Sequence, residues 1–385
     1  MGTRKFHTIH CIPSPYRVHL FTELYRQLQE KDIKFHAHFM STGAYGNGRP
    51  KSWLFPKMDF PYTYWPEFGP RAHYFNPSML WNVRKMKLDW LLVASIYDTP
   101  TGILASWMCP AKTRITWCEG NTKTPGVFTG WKGTLKKSVL PRYEYVAVPG
   151  VDGKRYIELA GRELKVKMPK PVFLPNLIDE TRFRPRADWS QNELDEIRFR
   201  FLKNDDERLC IVPARLDPEK GLLEFIGLLT PEMLDSWHVV ILGQGCLKQN
   251  ILELLKERNL ESHFSVLDYI DYAEMPKFYA ASDLFLLPSR RDPNPLSVVE
   301  ALHSGLPVAV SSQTGNVDEA VTDGVNGWRL PVLEKDAYSV VLKEVFASST
   351  ERLREMGLHS KRENAEFWNT KKSIANFLAG IGIET

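Results

Sequence analysis

Two short loops in the second half of the chain hold residue types suited to binding an anion. The stretch ARLDPEKGLLEF follows an apolar run and sets Arg215 and Lys220 five residues apart across a turn that opens a helix. Two fixed cations beside the free N–H groups of a helix start suit a diphosphate. The stretch SRRDPNPLSVVEALHSGLPVAVSS follows another apolar run and carries Asp292 eight residues before Glu300, with Asn294 between them. Asp292 precedes a helix and Glu300 lies a little over one turn inside it, so the acids stand at different depths of one pocket and could hold different parts of a ligand. That helix starts after Pro295, leaving the amides of Leu296 and Ser297 to meet anionic oxygen. A third loop, SSQTGNVDEAV, offers Gly315 and Asn316 at a further helix start. Each acid taken alone also reads as a solvated helix residue; only the combination singles them out.

These loops need elements to hold them, and the pattern supplies them. Short apolar runs alternate with segments of helical period, which predicts parallel sheets with crossover helices. Strands are expected at 6–12, 35–40, 90–95, 114–118 and 145–148, then at 210–213, 238–242, 264–267, 284–287 and 308–310. Residues 16–31 place Val18, Leu20, Phe21, Leu24, Tyr25 and Leu28 on one helical face directly after a strand and a Pro-Ser-Pro turn. A Pro-rich passage, VFLPNLIDETRFRP, separates the two series. The expected organisation is therefore residues 1–180 as one α/β domain, 181–365 as a second, and 366–385 as a C-terminal helix packing back towards the first. Ligands of two doubly wound domains belong at the carboxyl ends of the strands, in the cleft between them. An aromatic and Pro-rich stretch, with Trp53, Phe55, Phe60, Tyr62, Tyr64, Trp65, Phe68, Tyr74, Phe75 and Trp81, reads as cover for the first core or as an acceptor- or membrane-touching loop.

The length of 385 residues exceeds what one core usually holds, and 43% hydrophobic with 25% charged residues excludes disorder, collagen and coiled coil. The net charge of +4 hides a split: residues 1–170 hold 26 basic against 12 acidic side chains, and the remainder 24 against 34. The split reads either as ordinary surface variation between domains or as a basic half that faces an anionic partner, such as a membrane surface, a phosphorylated acceptor or nucleic acid. Trp131, Lys132, Lys136, Lys137 and Arg142 form one amphipathic stretch there. Nucleic acid lacks any motif beyond charge. Five cysteines without a CxxC pair imply reduced thiols in a cytoplasmic setting and no metal framework. The start of the chain is a poor signal peptide, and no apolar run reaches membrane-spanning length, so any membrane contact is expected to be peripheral.

Taken in order, these strings resemble glycosyltransferase family 4, the retaining nucleotide-sugar glycosyltransferases of GT-B fold. The likeness covers nearly the whole chain and is strongest over 175–331. There PNLIDETRF resembles the interdomain segment, ARLDPEKG the diphosphate loop, LGQG the glycine turn, FYAASDLFLLPS the strand before the donor site, and DPNPLSVVEALHSGLPV the paired-acid element. The resemblance implies that Arg215 and Lys220 neutralise the diphosphate of a UDP- or GDP-sugar without a metal or other cofactor. Asp292 would hold donor-sugar hydroxyls, Glu300 the ribose hydroxyls, the backbone near Tyr269 and Ile270 the base, and the amides of Leu296 and Ser297 the phosphate. A saccharide or lipid-linked saccharide is the implied acceptor.

The chain departs from the family pattern in places. Asp292 stands where the first acid is usually Glu, one methylene longer, and Pro295 where many members have Gly, which removes an amide. The first strand leads into Pro13-Ser14-Pro15-Tyr16, where a Gly-rich turn often stands, making Ser14 and Tyr16 candidates to face the ligand. No His occupies Trp117-Cys118-Glu119-Gly120, so Glu119 and Asp98, each after a strand, are the acceptor-side or catalytic candidates; either also reads as a capping carboxylate. Among other classes, a nicotinamide oxidoreductase needs a GxGxxG turn that neither half has. A nucleotide-sugar epimerase of the same fold and a non-catalytic nucleotide-sugar-binding module are the alternatives.

Overall fold

The computed structural model describes residues 3–42, 57–69, 74–123, 126, 128–268, 270–332 and 335–384. The chain divides into two units, Met1–Ile178 with Thr370–Thr385, and Asp179–Asn369.

The first unit is built on seven parallel strands: β1 (Arg4–His10), β2 (Ile33–Phe39), β3 (Tyr62–Tyr64), β4 (Trp90–Ala94), β5 (Thr113–Trp117), β6 (Tyr145–Val148) and β7 (Lys170–Phe173), in the order β3-β2-β1-β4-β5-β6-β7. The second holds six, β8 (Arg208–Pro213), β9 (Trp237–Leu242), β10 (Phe264–Leu267), β11 (Leu284–Leu287), β12 (Val308–Ser311) and β13 (Gly327–Leu330), in the order β10-β9-β8-β11-β12-β13. Interior strands such as WLLVA of β4 and WHVVIL of β9 are buried along their whole length. Helices cover both faces of such a sheet, so these strands read as unbroken apolar runs and are visible in the sequence.

Three strands, β3, β7 and β13, lie outside the expected set, and all three are sheet edges. An edge strand has one neighbour, is short, and includes exposed or half-exposed residues, as in the KPVF of β7, so its apolar signal fades. The helix expected over 16–31 spans Pro15–Gln29, with Leu20, Phe21, Leu24 and Leu28 in the core. In the aromatic stretch, Phe60 is buried and meets the rings of Phe21 and Phe35, so this part covers the core. Trp53 and Phe55 lie outside the described residues.

The C-terminal helix Thr370–Gly380 belongs to the first unit and packs on Pro15–Gln29, where Gln27 Nε2 donates to the Lys371 carbonyl at 2.9 Å. In the second unit Asp283 ties helix Gln191–Phe201 to the sheet. It accepts from Arg198 and Arg186 and from the Leu209 amide, each at 2.8 Å. Burial alone would push this carboxyl up, but the two guanidinium groups win and hold it below the usual carboxylate range.

Strand order reverses between β1 and β4 in one unit and between β8 and β11 in the other. A crevice opens at such a switch point because the flanking loops leave in opposite directions. The loops after β8 and β11 carry Arg215, Lys220 and Asp292; that after β1 carries Ser14 and leads into Tyr16 in the first turn of helix Pro15–Gln29, and that after β4 carries Asp98.

Candidate active site

In the second unit, the β8 and β11 loops are joined by their backbones: the amides of Arg290 and Arg291 donate to the Glu219 carbonyl at 2.9 and 3.1 Å. Gly221 makes this approach workable. It lies at φ 66°, and a Cβ there would stand 2.4 Å from the Pro288 carbonyl oxygen. The LGQG turn supports the first loop from the other side, since the Leu216 amide donates to the Gln244 carbonyl at 2.9 Å and a Cβ on Gly245 would meet the Leu216 oxygen at 2.4 Å. These joints bring Lys220 Nζ to 2.5 Å from Asp292 Oδ2, with the two side chains only 12% and 10% exposed. The cation and the first acid, 72 residues apart in sequence, form one buried pair.

Arg215 stands differently. It is largely exposed and clamped by its own loop, Nη1 at 2.6 Å from Asp217 and Nη2 at 2.5 Å from Glu219. The two cations are thus unequal: Lys220 is fixed at the bottom of the loop, Arg215 at its rim.

The helix after β11 spans Leu296–His303, and Leu296 and Ser297 occupy its first turn, where N–H groups have no helical acceptor. Asn294 Nδ2 and Ser289 Oγ, in the loop just before it, are buried polar atoms with no partner among the described residues. Gly315 and Asn316 brace this loop: the Gly315 amide donates to the Asp292 carbonyl at 2.9 Å and Asn316 Nδ2 to the Pro295 carbonyl at 3.1 Å. The Gly315 amide is thus engaged in a contact between the β11 and β12 loops.

Glu300 lies one turn deeper and is half-buried. Tyr279 donates its hydroxyl to Glu300 Oε2 at 2.7 Å. Desolvation pushes the Glu300 carboxyl up to about 7, against the opposing pull of Tyr279 and Arg182. Ile270 is half-buried after β10, and Tyr269 lies outside the described residues.

In the first unit, Ser14 is buried and its carbonyl caps the helix by accepting from the Arg17 and Val18 amides, both at 2.9 Å. Tyr16 is half-buried beside it. Arg17, outside the expected set, is a further candidate. Its buried guanidinium lies 3.9 Å over the Trp117 ring and pairs with Glu119, while Nε and Nη1 have no partner among the described residues. The signal available was its place in the first turn after β1, one residue past the Pro-Ser-Pro-Tyr loop. Glu119 keeps nearly half of its side chain exposed. Asp98 lies at the surface of the β4 loop; partial desolvation pushes its carboxyl up, against the pull of Lys136 and Lys132.

One part of the expected basic stretch is overturned. In helix Gly130–Val139 the residues Trp131, Lys132 and Lys137 face outward, with Arg142 exposed just beyond, but Lys136 is only 7% exposed. Its ammonium sits 5.0 Å from the Tyr97 ring centre, 4.8 Å from that of Phe128 and 3.5 Å from the Tyr156 hydroxyl, and burial lowers its pKa. It shares its inward face with Gly133 and Val139, which fixes its direction.

Residues 193–362 match the family model described as Glycosyl transferases group 1. Over that stretch the chain is similar to this family. It is 27% identical over 202 residues to mannosylfructose-phosphate synthase of Agrobacterium fabrum, covering 49% of this chain and 43% of that protein. It is 33% identical over 125 residues to the O-antigen biosynthesis glycosyltransferase WclY of Escherichia coli, covering 32% and 34%. The matches thus span less than half the length of these curated relatives. Among solved structures, Anabaena Alr3699/HepE in complex with UDP superimposes with a TM-score of 0.72 at 15% identity, covering 98% of this chain and 100% of that one. The fold of this chain is accordingly GT-B, two Rossmann-like parallel-sheet units. The family match embraces Arg215, Lys220, Asp292 and Glu300 and leaves Arg17, Asp98 and Glu119 outside it.

Proposed function

We propose that this chain is a retaining, metal-independent glycosyltransferase that moves a hexose or N-acetylhexosamine from a UDP- or GDP-sugar to a saccharide or lipid-linked saccharide in glycan biosynthesis. The observation that carries this reading is the Lys220–Asp292 pair, seated at the switch point beside the first-turn amides of Leu296 and Ser297. Breaking a sugar–phosphate bond leaves negative charge on the departing diphosphate. Lys220, those amides and Arg215 at the rim would stabilise that charge without reorganising, and preorganised charge of this kind is usually the strongest single source of rate acceleration in such a site. Asp292 would turn from Lys220 towards sugar hydroxyls once the diphosphate takes the ammonium. Glu300 would hold the ribose hydroxyls, and the backbone at Tyr269 and Ile270 would meet the base. Attack from the same face as the leaving group, with a phosphate oxygen taking the acceptor's proton, accounts for retention without a protein nucleophile.

The first unit would take the acceptor, with Glu119, held by Arg17, and Asp98 facing it. A relative in Escherichia coli, 29% identical over 164 residues, is named a UDP-Gal:alpha-D-GlcNAc-diphosphoundecaprenol alpha-1,3-galactosyltransferase, which favours a lipid-linked acceptor here as well. Helices Pro77–Val83, Pro100–Met108 and Gly130–Val139 pack in sequence and expose Trp81, Trp107 and, at 72%, Trp131. With Arg84, Lys85, Lys132, Lys137 and Arg142 around them, these rings suit a peripheral seat on an anionic membrane, at about 1 kcal/mol per well-placed cation. No helix among the described residues is long and apolar enough to cross a membrane.

The experiment is a thermal-shift screen of nucleotide sugars followed by donor-dependent transfer in the presence of EDTA. Stabilisation by a UDP- or GDP-sugar and transfer that survives chelation are expected. Complete loss on chelation, or epimerisation of the sugar without any acceptor, counts against the reading. Equal sedimentation with neutral and anionic vesicles removes the membrane seat.

A further inference from the structure

Glu300 sits in its helix with its two carboxylate oxygens in different situations. Oε2 accepts the Tyr279 hydroxyl at 2.7 Å, and Oε1 has no protein partner among the described residues. The Tyr279 side chain cannot turn away: it is fully buried, with the Phe183 ring centre at 5.6 Å edge-on and that of Phe285 at 6.2 Å in a stack. Two more groups, Arg182 and Tyr272, face this carboxyl. Arg182 lies 4.3 Å over the Tyr272 ring and donates to the Tyr272 carbonyl at 2.8 Å, which holds its charge near Glu300, and Asp179 sits beyond Tyr272. A hydroxyl that donates to one carboxylate oxygen favours the ionised form and fixes the plane of the group. A ligand carrying vicinal hydroxyls needs that ionised form, because a protonated carboxyl presents a donor where the ligand also presents one.

We propose that Tyr279 is the positioning residue of this site, locking Glu300 so that Oε1 faces a ligand hydroxyl as an ionised acceptor and making nucleotide binding proton-linked. The inference rests on Glu300 being the acceptor for ribose hydroxyls, as proposed above, and adds to it a residue and a pH dependence. Only the ionised fraction binds, so apparent affinity scales with it. With a carboxyl titrating near 7, UDP should bind about tenfold more weakly at about pH 6 than at about pH 8.5.

The test uses the full chain and UDP in calorimetric titrations across that range, with Tyr279→Phe and Glu300→Gln as variants. Tyr279→Phe keeps the ring and its packing. It should weaken binding several-fold at neutral pH, recover towards wild type at high pH, and move the midpoint upward. Glu300→Gln should bind weakly at every pH. Superimposable profiles for wild type and Tyr279→Phe, or a wild-type affinity flat with pH, overturn the proposal. Should UDP fail to bind the wild type, the donor-site reading itself falls. The Tyr279 role is then decided by 13C-carboxyl NMR of Glu300 in the unliganded chain, where a midpoint that Tyr279→Phe leaves unmoved refutes it.

Discussion

Replacing Lys220 by Met removes the positive member of a pair whose side chains are 12% and 10% exposed and whose charged atoms lie 2.5 Å apart. Asp292 then remains in a site built around a cation, and leaving one member of a buried pair uncompensated costs about 3–5 kcal/mol. For a unit of this size each kcal/mol moves the melting temperature by about 2–4 °C, so the lower figure alone predicts a fall of roughly 6–12 °C. Adding Asp292→Leu removes the stranded charge, and such apolar replacements of whole pairs are close to neutral, so most of the lost stability should return. Function should not return with it. If Lys220 stabilises the leaving diphosphate, both variants lose about 2–4 kcal/mol of barrier stabilisation, on the order of thirtyfold to a thousandfold in rate. The assays are calorimetric melting, UDP titration and donor turnover on the single and double variants. A double variant no more stable than Lys220→Met would refute the pair as a buried, coupled unit. Turnover within tenfold of wild type in either variant would refute its catalytic role.

Buried charges and rings elsewhere in the chain set three further outcomes. His38 is buried, accepts from Trp65 Nε1 at Nδ1, and meets His7 through Nε2 at 2.9 Å, with burial and the neighbouring His7 and His36 holding its pKa well below 6.5. The folded chain thus refuses a proton that the unfolded chain takes below about pH 6.5, so in urea titrations between about pH 7.5 and 5.5 the wild type should lose about 1.4 kcal/mol more than His38→Gln does; Glu300, raised to about 7, acts in the opposite direction, and Glu300→Gln should steepen the loss. Asp283→Ala strands Arg186 and Arg198 and the Leu209 amide, predicting a loss of about 3 kcal/mol or more by the same measurement, with a smaller effect sinking the idea that it anchors helix Gln191–Phe201. Lys136→Met should leave the melting temperature unchanged or raised, since no acid among the described residues makes an ion pair with this buried ammonium, and a large drop would show that its ring contacts outweigh desolvation.

Nine interior strands and the edge strand β10 are legible in the amino-acid pattern alone, because a strand covered by helices on both faces must be apolar nearly throughout. The order of the loops after β8, β11 and β12 is legible too, because helix starts and glycine turns are chemical signatures confined to a few neighbouring residues. The edges β3, β7 and β13 are not, since their position relaxes the apolar demand. Which charges meet is a property of the folded chain. Lys220 reaches Asp292 across 72 residues through loop joints that Gly221 and Gly245 leave room for, and Arg17 reaches Glu119 across 102. Lys136 shows the same limit from the other side: helical spacing sets it among outward cations, yet the face it shares with Gly133 and Val139 turns it into the core. Charge alone does not reveal such a turn, since the ammonium is taken up among the rings of Tyr97 and Phe128, which offset only part of the cost of burying it and which only the fold brings beside it.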